Sequence, residues 1–158
     1  MQDTPMQRSD FLRLFGAGAG LLGLGAVTGA SPVQGGQGRT LVVLSHGSDD
    51  PNRAVLALLL ASAAVKKGNG PVQIWMTLGG AEVAHKQKVE ALKSPIFAAM
   101  GSASSLLAEL AARGVTLKIC PPCAVAAGAT GEERHPAVEE AGGDWLLANL
   151  PGAEVVWL

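Results

Sequence analysis

Cys120 and Cys123 are the only two cysteines in the chain, and they stand as Cys-Pro-Pro-Cys. A thiol attacks as its thiolate. The free N–H groups and the dipole at the start of a helix stabilise that charge. Cys120 falls where an apolar run ends, and Cys123 falls in the first turn of the short helix that Pro121 and Pro122 can open. Either sulfur can attack, and the other can resolve the product as a disulfide. The same spacing is open to other chemistry. Cys-x-x-Cys is half of a zinc site, but no second such pair and no histidine pair at ligand spacing follows, so no structural metal is expected. A softer metal held by both sulfurs and His46 is the remaining metal arrangement. A structural disulfide is the plain alternative for a small exported domain.

His46 closes another apolar run and is the third candidate. It can take a proton from a thiol or stabilise a thiolate; equally, it can be a turn residue bonded to backbone. Ser45 and Ser48 flank it without a nucleophile-elbow pattern, and read as turn and cap residues. The Gly47 loop lacks the glycine spacing and lysine of a phosphate loop, and Asp49 and Asp50 would repel phosphate. No cofactor is expected. His85, between Ala84 and Lys86, reads as part of a solvated helix face. Met76 beside Trp75 reads as strand core.

The positions of these residues follow from the elements around them. Residues 40–44, Thr-Leu-Val-Val-Leu, form a short β-branched run expected as a strand buried on both faces. Asp50 can cap a following helix with Pro51 at its first position, and Gly68 stops it. Residues 72–77 and 115–119 are two further strands. Residues 81–93 and 102–113 are expected as helices, the second ended by Gly114. Pro121 opens a short helix that closes near Gly128. Residues 136–150 are expected to carry one or two short helices, and residues 154–158 a last strand. Strands alternating with helices imply a parallel sheet covered on both faces. Ligands of such sheets sit beyond the carboxyl ends of the strands, so residues 45–49, 78–80 and 120–123 should share one edge. The first helix is apolar nearly all round, from Ala54 to Leu60. That predicts either a subunit interface or complete burial within its own domain.

Composition bounds the rest. Apolar residues make up 48% of the 158 and charged residues 16%, which suits one packed domain. A net charge of −1 and the absence of tyrosine argue against a nucleic-acid partner. The first thirty residues are different in kind. Arg8 and Arg13 lie near an apolar stretch at 14–27, and Thr28-Gly29-Ala30 supplies small residues for cleavage. This is the order of an export signal, of the general secretory or the twin-arginine type. Arg8-Ser9-Asp10-Phe11-Leu12 resembles the twin-arginine pattern with Ser9 in place of the second arginine. The expected organisation is an export signal at 1–30, a Gly/Gln linker at 31–38 and a folded domain at 39–158. The expected location is periplasmic, or membrane-anchored if the signal stays attached.

Two stretches carry a family resemblance. Leu-Val-Val-Leu-Ser-His-Gly-Ser-Asp-Asp-Pro-Asn-Arg-Ala (41–54) and Gly-Val-Thr-Leu-Lys-Ile-Cys-Pro-Pro-Cys-Ala-Val-Ala-Ala-Gly (114–128) resemble the DsrE/DsrF-like sulfur-relay family in order and spacing. The resemblance implies a three-layer α/β/α sandwich with a mostly parallel sheet of four or five strands, assembled as a trimer or hexamer. It implies a cysteine at position 120 that carries persulfide sulfur between a donor and an acceptor, which are proteins or small sulfane-sulfur compounds. Cys123 matches a second cysteine found in some members, and Ala127 stands where an arginine is usual. Beside the sulfur carrier stand two other readings of the chain. One is an exported thiol–disulfide protein cycling Cys120 and Cys123; the other is a non-catalytic oligomeric binding module.

Overall fold

The computed structural model of the protein describes residues 38–158. The expected export signal and nearly all of the expected linker lie outside them. Five parallel strands form one sheet in the order β4-β3-β2-β1-β5, with β1 Thr40–Leu44, β2 Val72–Met76, β3 Thr116–Ile119, β4 Val138–Glu140 and β5 Glu154–Trp157. This is the expected α/β sandwich, with five strands.

Strand alternation divides the apolar residues between two layers. Val42, Leu44, Ile74, Met76, Leu117 and Ile119 face the larger core, against α1 (Pro51–Lys67) and α3 (Ala103–Ala112). Leu41, Val43 and Trp75 face the other side, under Trp145 and Leu146 of α5 (Gly143–Asn149). Each fully buried Leu or Ile removed from water contributes about 1.5–3 kcal/mol. Ile74, Leu58 and Leu107, all fully buried, therefore anchor the larger layer. β1 is buried along its whole length because it has paired neighbours on both edges and side chains over both faces.

The helix limits follow local chemistry. The Asp50 carboxylate accepts from the Arg53 N–H and Pro51 starts α1, while Gly68 ends it with φ +69. The buried stripe of α1 runs through Val55, Leu58 and Ala61, whereas Leu60 stays exposed, so burial in its own domain accounts for much of its apolar surface. Ser102 caps α3, and Gly114, at φ +75, ends the turn that follows it.

Two expected elements differ. Residues 81–93 are not one helix: a 3-10 turn spans Leu78–Ala84, and α2 covers only Lys86–Ala91. Between them His85 is extended, with φ −86 and ψ 124, and bridges Arg134. His85 is therefore not part of a solvated helix face; its ring accepts from the Gln87 N–H and caps α2. Residues 136–150 hold β4 as well as the single helix α5. The strand was hidden because only Val138 of its three residues is buried. Glu139 and Glu140 point to solvent and pair with Lys118 and Arg134.

Candidate functional site

Because the sheet is parallel, the ends of β1, β2 and β3 open on one edge. The three loops expected there do meet. A Cβ on Gly80 would lie 2.1 Å from the Leu44 carbonyl oxygen, and one on Gly47 would lie 2.2 Å from the Gly79 carbonyl oxygen. The β2 exit loop thus lies directly against the end of β1, an approach only glycine allows.

Cys120 ends the β3 ladder, its N–H donating to the Met76 carbonyl at 2.9 Å. It is also the residue before α4 (Pro121–Ala127), and its carbonyl accepts the first helical bond from Ala124 at 2.8 Å. Pro121 and Pro122 take the first two helical positions, where a missing N–H costs nothing. The chain reverses so tightly that the two cysteines pack on different layers while their sulfurs remain neighbours. Cys120 packs on the α5 side against the cluster of Leu41, Val43 and Trp75, and Cys123 packs on the opposite layer. Both are half-buried free thiols.

Their hydrogen bonding is unequal. Cys123 Sγ receives the Leu78 N–H at 3.2 Å and lies 3.4 Å from Thr77 Oγ1. Burial opposes ionisation of Cys123, but hydrogen bonds from Thr77, from the Cys120 thiol and from Leu78 outweigh it and hold Cys123 below the ordinary cysteine range. Burial pushes the Cys120 thiol up, and the neighbouring Cys123 sulfur adds to the rise; the backbone amide of Cys123 only partly offsets it. Of the two, Cys123 is the better thiolate.

His46 sits on the same edge but in a separate cluster. Its Nδ1 is 2.6 Å from Asp49 Oδ2 and its Nε2 is 3.2 Å from Arg53 Nη1. A guanidinium can only donate, so Nε2 is the acceptor and the proton lies on Nδ1, pointing at Asp49. The Gly47 N–H, at 2.7 Å, is the main cause that keeps the Asp49 carboxyl below its usual range, with the His46 bond adding to it. Both ring nitrogens are thus engaged within the turn, and neither sulfur is among their partners. Cys120, Cys123 and His46 do not form a common ligand set. Among the described residues no three His, Cys, Asp or Glu side chains converge as metal ligands would. A cavity of about 390 Å³ opens between Ser48, Pro51, Glu82 and Lys88, but neither sulfur lines it.

Thr77 and Leu78 are the residues that sequence reasoning missed. The available signal was positional: they follow β2, the strand next to β3, on the edge where ligands bind.

No family model matches the chain, and no curated protein matches it. Solved structures do. The YchN protein of E. coli superposes with a TM-score of 0.58 at 16% identity, covering 76% of this chain and 99% of that one. A protein of unknown function from Methanobacterium thermoautotrophicum, MTH1491, gives a TM-score of 0.57 at 16% identity, covering 76% of this chain and 98% of its own. At this identity the likeness is one of fold, and the fold is DsrE-like. Among the described residues no helix is long and apolar enough to cross a membrane.

Proposed function

We propose that the protein is a thiol-based sulfur carrier in which Cys123 accepts sulfane sulfur as a persulfide and passes it to an acceptor thiol. The observation that carries this is the pair of groups on Cys123 Sγ, the Leu78 N–H, which donates, and the Thr77 hydroxyl, which donates once the sulfur is a thiolate. Such donors favour the charged form of a sulfur, and a thiolate is the species that attacks. The family resemblance assigns the sulfur to Cys120; the hydrogen bonding favours Cys123, with Cys120 as its partner thiol.

In the first step the Cys123 thiolate attacks the outer sulfur of a donor persulfide, R–S–SH. The Cys123 S–S bond forms, the donor's own S–S bond breaks, and RS⁻ leaves with the bonding pair as a thiolate, while the transferred sulfur keeps its proton. In the second step an acceptor thiolate attacks the outer sulfur of the Cys123 persulfide. Cys123 leaves with the bonding pair and returns to the thiolate its two donors stabilise. No net oxidation occurs. If Cys120 attacks Cys123 Sγ instead, hydrosulfide leaves and a Cys120–Cys123 disulfide remains, which a dithiol reductant must reopen with two electrons. The donor and acceptor are proteins or small persulfides, met in the exported compartment. Assembly as a trimer or hexamer is part of the same proposal.

Intact mass after exposure of the reduced protein to a low-molecular-weight persulfide tests it. Cys120→Ser should gain one sulfur atom, wild type should gain one or lose two hydrogens as the disulfide, and Cys123→Ser should do neither. A Cys123→Ser variant that gains sulfur at the wild-type rate refutes the assignment, and a Cys120→Ser variant, which has no second thiol to expel the sulfur, that gains none refutes the carrier.

The approach of the two thiols favours a second reading, a dithiol–disulfide protein. A reduction potential near that of the compartment, with no sulfur uptake, would support it.

A further inference from the structure

Leu78 is the only non-glycine among the described residues with a positive φ, at +49°. That region is unfavourable for a residue with a Cβ, and it persists only where the surroundings demand it. Packing of the side chain does not demand it, since Leu78 is 68% exposed. The backbone on either side does. Thr77, just before, is still paired to the sheet, its N–H donating to the Leu44 carbonyl at 2.9 Å. Just after it, Gly79 and Gly80 lie against β1 and its loop: a Cβ on Gly79 would be 2.5 Å from Asp49 Oδ1, and one on Gly80 would be 2.1 Å from the Leu44 oxygen. One residue is left to turn the chain from the strand into that clamp, and it turns left-handed. The result of the turn is an N–H directed at Cys123 Sγ from 3.2 Å.

We propose that Leu78 is a positioning residue for the thiol site: the clamp between Gly79-Gly80 and the β1 end holds its backbone left-handed, and this aims its N–H at Cys123 Sγ to hold negative charge there. This rests on Cys123 being the attacking sulfur, as proposed above. It gives the His46 turn a purpose that needs no contact with sulfur. Asp49, oriented by His46 and the Gly47 N–H, forms one wall of the clamp. The groups that face Cys123 Sγ are then the Leu78 N–H, the Thr77 hydroxyl and the Cys120 thiol. Leu78 contributes through its backbone, so its side chain is free to be any residue that tolerates the turn.

The test removes the N–H and leaves every side chain in place. Leu78 is replaced by the corresponding α-hydroxy acid in the full chain, which turns one amide into an ester. The pH profile of iodoacetamide alkylation at Cys123 is then read by peptide fragmentation. A hydrogen bond to a charged group is worth about one pH unit or more in the midpoint. The ester variant should therefore shift the Cys123 midpoint upward by about one unit, a roughly tenfold loss of thiolate at any pH below both midpoints. Leu78→Gly keeps the N–H and accepts the left-handed turn freely, so its midpoint should match wild type. A midpoint unmoved by the ester, or moved as far by Leu78→Gly, overturns the role of Leu78. The readout is independent of sulfur uptake. A protein that takes up no sulfur yet shows the ester shift loses the carrier function and keeps the positioning residue.

Discussion

Replacing Thr77 by valine removes one hydroxyl from the site and little else. Thr77 is buried, at 7% exposure, and its N–H is already committed to the Leu44 carbonyl. Valine matches it in shape, so the fold should change in stability by no more than about 1 kcal/mol. The effect should fall on the sulfur 3.4 Å from the lost oxygen. Hydrogen bonds to charged groups contribute about 1.5–3 kcal/mol, and a long contact to diffuse sulfur belongs at or below the lower end. At 1.36 kcal/mol per unit, that is a rise of about one unit in the Cys123 pKa. Below both pKa values the thiolate fraction then falls about tenfold, but a more basic thiolate is also a better nucleophile, with a Brønsted slope of about 0.4–0.5. The net result is alkylation about threefold slower below both pKa values and about threefold faster once both proteins are fully ionised. Iodoacetamide rates across the pH range test this, with Thr77→Ser, which keeps the hydroxyl, as the control. Curves that cross are the expected result. A Thr77→Val curve that overlies wild type, or that is lower by one factor at every pH, refutes the hydroxyl's part in holding the thiolate.

Other perturbations probe the frame around the site. Gly80→Ala places a Cβ against the Leu44 carbonyl and must push the loop away. It should cost more than about 2 kcal/mol in urea unfolding and raise the Cys123 alkylation midpoint together. Ile74→Ala, in the fully buried middle of the central strand, should cost about 3 kcal/mol in the same assay. His135 is held below its ordinary range by burial first and by Lys86 second, so protonation favours the unfolded chain. Its contribution is complete above about pH 6.5 and is lost as pH falls below that toward the lowered folded value. His135→Gln should flatten the pH dependence of unfolding in that window, and an unaltered slope there contradicts it.

Much of the fold is legible because each strong element carries its own punctuation. Asp50-Pro51 and Gly68 bound α1, Ser102 and Gly114 bound α3, and Pro121 and Gly128 bound α4. The β-branched run of β1 announces a buried strand. β4 is not legible because an edge strand of three residues with two outward glutamates has no apolar period to read. The break at His85 is tertiary: a bridge to Arg134, with the His135 N–H bonded to the Ala84 carbonyl, competes with helix continuation. At the site, the cysteine pair and its helix were legible, and so was the shared edge of the three loops. The inequality of the two thiols was not. It comes from the strand–helix reversal that sends Cys120 and Cys123 to opposite layers, and from a backbone N–H that no residue type at position 78 discloses. His46 was open between assisting a thiol and a turn role, and its two nitrogens are bonded to Asp49 and Arg53.

The most direct test is a competition within one molecule. Fully reduced protein is treated at neutral pH with less than one equivalent of iodoacetamide, and the label is located between the two cysteines by fragmentation of the peptide that holds both. If Thr77 and Leu78 hold negative charge on Cys123, most of the label is on Cys123. A label found mainly on Cys120 contradicts the account.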